Sequence, residues 1–139
     1  MRLQKLQPGS FHVQVRRQYC GRPTALEQAT LQLSSQARVW VREVALHAAG
    51  AECVLARTVV PLTALQGRLR CLQQLGNRSL GSFLFRQPSL VRHPIQVSQC
   101  ASDSPLAWCR YSVFGLYGER VLVSEGFHAT MVNTEMTHN

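Results

Sequence analysis

Acidic residues and lysine are scarce in this chain. Seven acids stand against 15 bases, and fourteen of those fifteen are arginine, with Lys5 the only lysine. No C-x-x-C pair and no H-E-x-x-H motif occurs among the five cysteines and five histidines. That absence argues against a structural or catalytic zinc site, whose ligands come in closely spaced pairs. An odd number of scattered cysteines also reads as reduced thiols, not as a disulfide framework. No apolar run approaches the roughly 18 residues of a membrane span. The N-terminus, M-R-L-Q-K-L-Q-P-G-S, has no apolar stretch of the kind a secretory signal carries. The cytoplasm is the expected location, and no membrane partner is expected.

What is present suits one folded domain. The 139 residues are 45% hydrophobic and 16% charged, too apolar for a disordered chain. A formal net charge of +8 attracts anions, whether nucleic acid or a small polycarboxylate. The arginines are spread along the chain, and the tightest cluster is Arg16-Arg17. No Gly-rich RNA-binding signature or recognition-helix pattern accompanies them, so nucleic acid is not an expected partner.

Residues 11–19, F-H-V-Q-V-R-R-Q-Y, alternate and predict a strand with Phe11, Val13, Val15 and Tyr19 on one face. Residues 20–37 are expected to be a connection with little regular structure. Two β-rich runs, 38–47 and 52–60, flank the turn A-A-G and predict a hairpin that Pro61 closes. Leu62, Leu65, Leu69, Leu72 and Leu75 predict one helix ended by Gly76, with Gly67 weakening its middle. Residues 77–85 read as a turn into a short apolar segment, and 91–99 as a strand weakened by Pro94. A second hairpin is predicted from 107–116 and 120–128 around Y-G-E, with a tail from about 130 that frays. Five or six strands joined mostly by hairpins, with one clear helix, predict an α+β domain with an antiparallel sheet.

Three of these strands place one ionisable group in an apolar row. Arg42 shares a face with Trp40, Val44 and Leu46; Arg57 with Cys53, Leu55 and Val59; Glu125 with Val121, Val123 and Phe127. For a single strand the ordinary explanation is an edge position or a side chain reaching out to water. Over three strands, unpaired burial would cost several kcal/mol each, so the groups are expected to pair or to face an opposite charge. Two arginines and one glutamate leave one positive charge over, which a carboxylate ligand would balance. Pattern alone therefore points to a binding pocket for a small anion.

The stretches V-W-V-R-E-V-A-L, L-A-R-T-V-V-P-L-T-A-L and L-Q-Q-L-G-N-R-S-L-G-S-F-L-F resemble the bacterial chorismate pyruvate-lyase family. The Glu125 strand matches as well, and W-C-R-Y does so more loosely. The resemblance implies a six-stranded antiparallel sheet with flanking helices and a ligand pocket sealed from solvent. It implies removal of pyruvate from chorismate to give 4-hydroxybenzoate for ubiquinone biosynthesis, with no cofactor and no metal. By the same resemblance Arg42 and Glu125 are the catalytic residues. Met1, Arg42, Leu80 and Glu125 bind the substrate, Leu80 through backbone groups, and Arg57 is expected beside the pocket. A monomer is expected.

Three departures accompany the match. Relatives carry a helical segment ahead of the methionine that Met1 matches, so residues 1–139 are expected to form a single domain short of that segment. Ala56 stands for the family's usual glycine, and Gly126 for a bulkier residue, which is expected to loosen the wall beside Glu125. The alternative is a non-catalytic small-acid-binding domain of the same fold, an effector sensor like that of one class of bacterial transcription regulators.

Overall fold

Alternating β-branched and polar residues set the architecture. In the structure, a computed structural model describing residues 12–48, 51–93, 96–99 and 106–128, they form one antiparallel sheet. Its strands are β1 (His12–Gly21), β2 (Val39–Ala48), β3 (Ala51–Pro61), β4 (Val91–Arg92), β5 (Gln96–Gln99), β6 (Leu106–Leu116) and β7 (Glu119–His128). The order is β1-β2-β3-β7-β6-β4, and β5 pairs with β6 beside β4. Seven strands thus occupy six positions. The run 91–99 that was expected to be a single weakened strand is two short pieces on the same neighbour. Among the described residues no helix is long and apolar enough to cross a membrane.

One-residue bulges in β3 and β1 decide which of their side chains share a face. From Ala48 opposite Ala51 and His47 opposite Glu52, β3 gains one unpaired residue, Cys53, so that Leu46 faces Val54. Arg42 therefore lies opposite Thr58, and Arg57 opposite Glu43. A bulge inserts one residue and turns every later side chain to the other face. In β1 the extra residue is Arg16, between Val15 opposite Val44 and Arg17 opposite Glu43. Val13 and Val15 consequently pack on the Val44–Leu46 side, whereas Tyr19 packs on the opposite one. The expectation that Tyr19 shares the face of Val13 and Val15 is corrected by this bulge. Phe11, residues 49–50 of the A-A-G turn and the tail lie outside the described residues.

The expected leucine helix is two 3₁₀ segments, Leu62–Gln66 and Arg68–Gln74, separated at Gly67. Gly67 adopts φ −118°, ψ −134°, which breaks the helical path. The leucine spacing explains the form taken. Leu62 to Leu65, and Leu69 to Leu72 to Leu75, are steps of three, the 3₁₀ period. Gly76, at φ +59°, ends the second segment in the left-handed region. The segment expected to be an irregular connection holds a helix, α1 (Ala25–Thr30). T-A-L-E starts it: Thr24 caps the Glu27 N–H while the Glu27 carboxylate accepts from the Thr24 N–H. A second short helix, α2 (Leu80–Leu84), begins at the Ser79 cap.

The core divides by face. On one face, Trp40, Val60, Leu116 and Val121 pack under Leu65, Leu69, Leu72 and Leu84 of the 62–84 segment. Val44, Leu46, Ala48 and Val54 form a second cluster at the other end of that face, with Val13, Val15 and Phe127. The opposite face buries Val39, Val41, Val59 and Leu122 beneath Leu31, just after α1. Burying one such side chain contributes about 1.5–3 kcal/mol, so the three clusters account for much of the folding drive.

Candidate active site

Between the two clusters of the first face runs a polar band. Register places Val44, Ala56, Glu125 and Arg110 in one cross-strand row. The adjoining row is Arg42, Thr58, Val123 and Ser112. Arg42 and Glu125 thus share a face, with β3 between their strands, about 10 Å across two strand spacings. Ala56, Thr58 and Ser112 are short, so the floor between the long charged side chains is low. Ala56 in place of glycine adds only a methyl beside Glu125.

Arg42 is 2% exposed. One of its terminal nitrogens donates to the carbonyls of Gly76 at 3.1 Å and Arg78 at 3.0 Å. The left-handed turn at Gly76 ties the loop that leads into α2 to this guanidinium. Its Nε–H is buried and has no acceptor, and among the described residues no carboxylate pairs with it. Burial lowers the guanidinium pKa from its ordinary value. A buried donor left unsatisfied costs about 1–3 kcal/mol, more when the group is charged. Two carbonyl acceptors stabilise this cation only in part, and an anion would complete it.

Glu125 is paired within the sheet. Its side chain is 12% exposed and its Oε1 accepts from both Nε and a terminal nitrogen of Arg110, at 2.9 and 2.5 Å. The Arg110 guanidinium also lies 5.3 Å from the centroid of the Phe127 ring. The sequence reading missed Arg110 as a site residue, although a signal was available. The β6–β7 turn is Tyr117-Gly118, both at positive φ, a two-residue hairpin loop. Counting back from Leu116 opposite Glu119 places position 110 against 125.

Arg57 does not converge with Arg42 and Glu125. The Cys53 bulge puts it on the opposite face, where its Nε donates to Glu27 at 2.7 Å and a terminal nitrogen to Glu43 at 2.7 Å. That same nitrogen donates to the Tyr19 hydroxyl at 2.9 Å. The hydrogen bond that Arg57 donates to Glu27 leads the causes that raise the Arg57 pKa, and burial opposes it. Glu27 is 4% exposed. Burial pushes its carboxyl upward, but the Arg57 and Thr24 hydrogen bonds outweigh it and hold it below the usual carboxylate value. Arg57 thus joins α1 to the sheet, and its charge is met by two glutamates. Gly126 likewise faces away from Glu125, opposite Leu55 and Cys109, so it does not form the wall it was expected to loosen.

The remaining expectations fall in three places. Leu80 is the first residue of α2 and packs against the Trp40 cluster. As a first-turn residue its N–H has no intrahelical acceptor. Met1 lies outside the described residues. Cys20, Cys53 and Cys71 are free, whereas Cys109 is disulfide-bonded, against the reading of every cysteine as a reduced thiol. The spacing rule behind that reading recognises frameworks of several bridges and C-x-x-C pairs, not one isolated bridge.

Two cavities stand out among the described residues. One of about 430 Å³ is lined by Thr63, Gly67, Arg68, Tyr117 and Glu119, among others. Another of about 310 Å³ lies by Cys71, Arg78, Ser79, Ser82 and Arg86. Neither is lined by Arg42 or Glu125. Among the described residues no group of three or more His, Cys, Asp or Glu side chains is placed to hold a metal.

Comparison with known proteins bears on this geometry. The family model described as chorismate lyase matches residues 2–137. A probable chorismate pyruvate-lyase of Chromohalobacter salexigens is 39% identical over 138 residues, covering 94% of this chain and 74% of that protein. One of Marinobacter nauticus is 43% identical over 94 residues, covering 68% of this chain and half of that protein. The chorismate pyruvate-lyase of Salmonella arizonae is 38% identical over 102 residues, covering 73% of this chain and 59% of that protein. Matches to these relatives therefore span between half and three quarters of their length. Among solved structures, the PhnF C-terminal domain superposes with a TM-score of 0.68 at 16% identity, over 91% of this chain and 88% of that one. The effector domain of PhnF from Mycobacterium smegmatis gives 0.61 at 13% identity, over 87% and 82%. At those identities the likeness concerns the fold, an α+β antiparallel sheet with flanking helices. The family-model match and the sequence relatives reach further, and the chain belongs to the chorismate lyase family.

Proposed function

We propose that this chain is a chorismate pyruvate-lyase, converting chorismate to 4-hydroxybenzoate and pyruvate for the ubiquinone ring. The observation that carries the reading is Arg42, a buried guanidinium with an unsatisfied Nε–H and no carboxylate partner among the described residues. It shares a face with Glu125 between two apolar clusters.

Chorismate is a dianion with a ring carboxylate, an enolpyruvyl carboxylate and a ring hydroxyl. Arg42 clamps one carboxylate, for which a guanidinium offers paired donors. Glu125 accepts a hydrogen bond from the ring hydroxyl, and a backbone group of Leu80 contacts the ligand beside α2. With Arg110 counted, the band carries two arginines and one glutamate, and the surplus positive charge favours an anionic guest. Breaking the ring C4–H bond and the ether bond makes the ring aromatic. The hydrogen passes to the enolpyruvyl methylene, which leaves as pyruvate. An internal shift of this kind needs no protein base. The protein holds the side chain close to the ring hydrogen, and the flanking apolar clusters exclude water.

The test is to incubate purified protein with chorismate and follow both products. Equal amounts of 4-hydroxybenzoate and pyruvate are expected. Tight binding of 4-hydroxybenzoate by folded protein with no turnover would replace the enzyme reading with the effector-sensor alternative. No binding and no turnover would end both.

A further inference from the structure

We infer that Arg110 is a positioning residue that presents one oxygen of Glu125 to the ligand and makes the site selective for a ring hydroxyl. The inference rests on the reading of Glu125 as the acceptor for that hydroxyl.

The pairing is asymmetric. Both Arg110 donors converge on Oε1, and among the described residues nothing donates to Oε2. A symmetric fork would have occupied both oxygens and closed the carboxylate to a ligand. Arg110 is itself held from two sides, by Glu125 across the strand pair and by the Phe127 ring beneath its guanidinium. On the other side of Glu125 in the same row stands Ala56, too short to pair with it. The ion pair thus leaves Oε2 as an acceptor with no partner of its own.

Charge supports the same role. Without Arg110 the band would hold Arg42 and Glu125 alone, a net charge of zero facing a dianion. With it the sum is positive, and the glutamate can approach an anionic ligand without net repulsion. A ligand lacking a hydroxyl donor would leave Oε2 desolvated and unpaired, which is how polar sites reject close analogues.

The test compares 4-hydroxybenzoate with benzoate by titration calorimetry on wild type, Arg110→Met, Arg110→Lys and Glu125→Gln. Wild type is expected to prefer the hydroxylated acid by about tenfold or more, the lower range for a hydrogen bond to a charged group. Arg110→Met is expected to lose that preference by weakening 4-hydroxybenzoate more than benzoate, and Arg110→Lys to recover part of it. Equal weakening of both acids, or no change in preference, would overturn the role of Arg110. Glu125→Gln separates the two levels. If it loses the preference while Arg110→Met keeps it, only the Arg110 inference fails. If Glu125→Gln itself keeps the preference, the reading of Glu125 fails as well. Should Arg110→Met not fold, Arg110→Lys decides, because one ammonium donor cannot reproduce two converging N–H groups. An unaltered preference in that variant then counts against the inference.

Discussion

Arg42 and Arg57 sit on adjacent strands, each in an apolar row, and their surroundings are opposite. Arg57 meets Glu27, Glu43 and Tyr19 on the α1 face. Arg42 meets two carbonyl oxygens on the other face and keeps an unsatisfied Nε–H. The same residue type therefore ties helix to sheet at one position and, at the other, has no carboxylate among the described residues; under the proposed function that second arginine binds the substrate. What separates the two roles is whether the chain supplies its own carboxylate. Burial does not separate them, since it lowers the Arg42 pKa and also opposes the rise at Arg57.

The contrast should break most sharply in paired substitutions. Arg42→Met is expected to weaken 4-hydroxybenzoate binding by about 2–5 kcal/mol, the range for truncating one partner of a buried charged contact. The same change should leave urea stability equal or higher, because it removes a buried cation lacking a counter-charge. Calorimetry and urea melts on one preparation check both; intact binding would remove Arg42 from the site. Arg57→Met should do the reverse. It strands Glu27 under α1 and is expected to cost about 3 kcal/mol of stability, the lower value for breaking a buried pair. A stability loss no larger than that of Arg42→Met would erase the distinction.

Acid sharpens the comparison on the α1 face alone. At Glu43, as at Glu27, burial pushes the pKa up but hydrogen bonds from arginine bring it below the ordinary value, here from Arg17 and Arg57. A depressed folded pKa means stabilisation that is complete above the unfolded value, about 4.3. It is lost as pH falls through the folded value. Urea midpoints should therefore drop below about pH 4 in wild type and drop less in Arg57→Met. Parallel slopes would show that the cluster does not govern acid stability. The smallest effect belongs to Thr24→Ala, which removes the α1 cap. About 1 kcal/mol of stability should be lost, with ligand binding unchanged. A change in ligand affinity would mean that the two faces are coupled.

How much of this was legible beforehand depends on the range of each interaction. Arg42 and Glu125 stand out because a period of two exposes any ion in an apolar row. The hairpins are legible for the same reason. T-A-L-E at residues 24–27 carries a capping box, a local signal set inside a polar stretch without an apolar period around it. Arg110 was reachable by counting back from the Tyr117-Gly118 turn. The face of Arg57 was not reachable. Continuing the register of Ala48 opposite Ala51 would have set Arg57 against Arg42, and only the unpaired Cys53 moves it.

By itself, then, the chain's sequence determined an antiparallel α+β domain, an arginine and a glutamate on apolar strands, and the family to which it belongs. Those properties follow from local alternation, turn chemistry and short motifs, which neighbouring residues settle among themselves. Tertiary structure decided which charges meet. A one-residue bulge reverses every later side chain, and its position depends on how whole strands pack against helix and sheet. Arg57 thereby received Glu27, Glu125 received Arg110, and Arg42 received no carboxylate among the described residues.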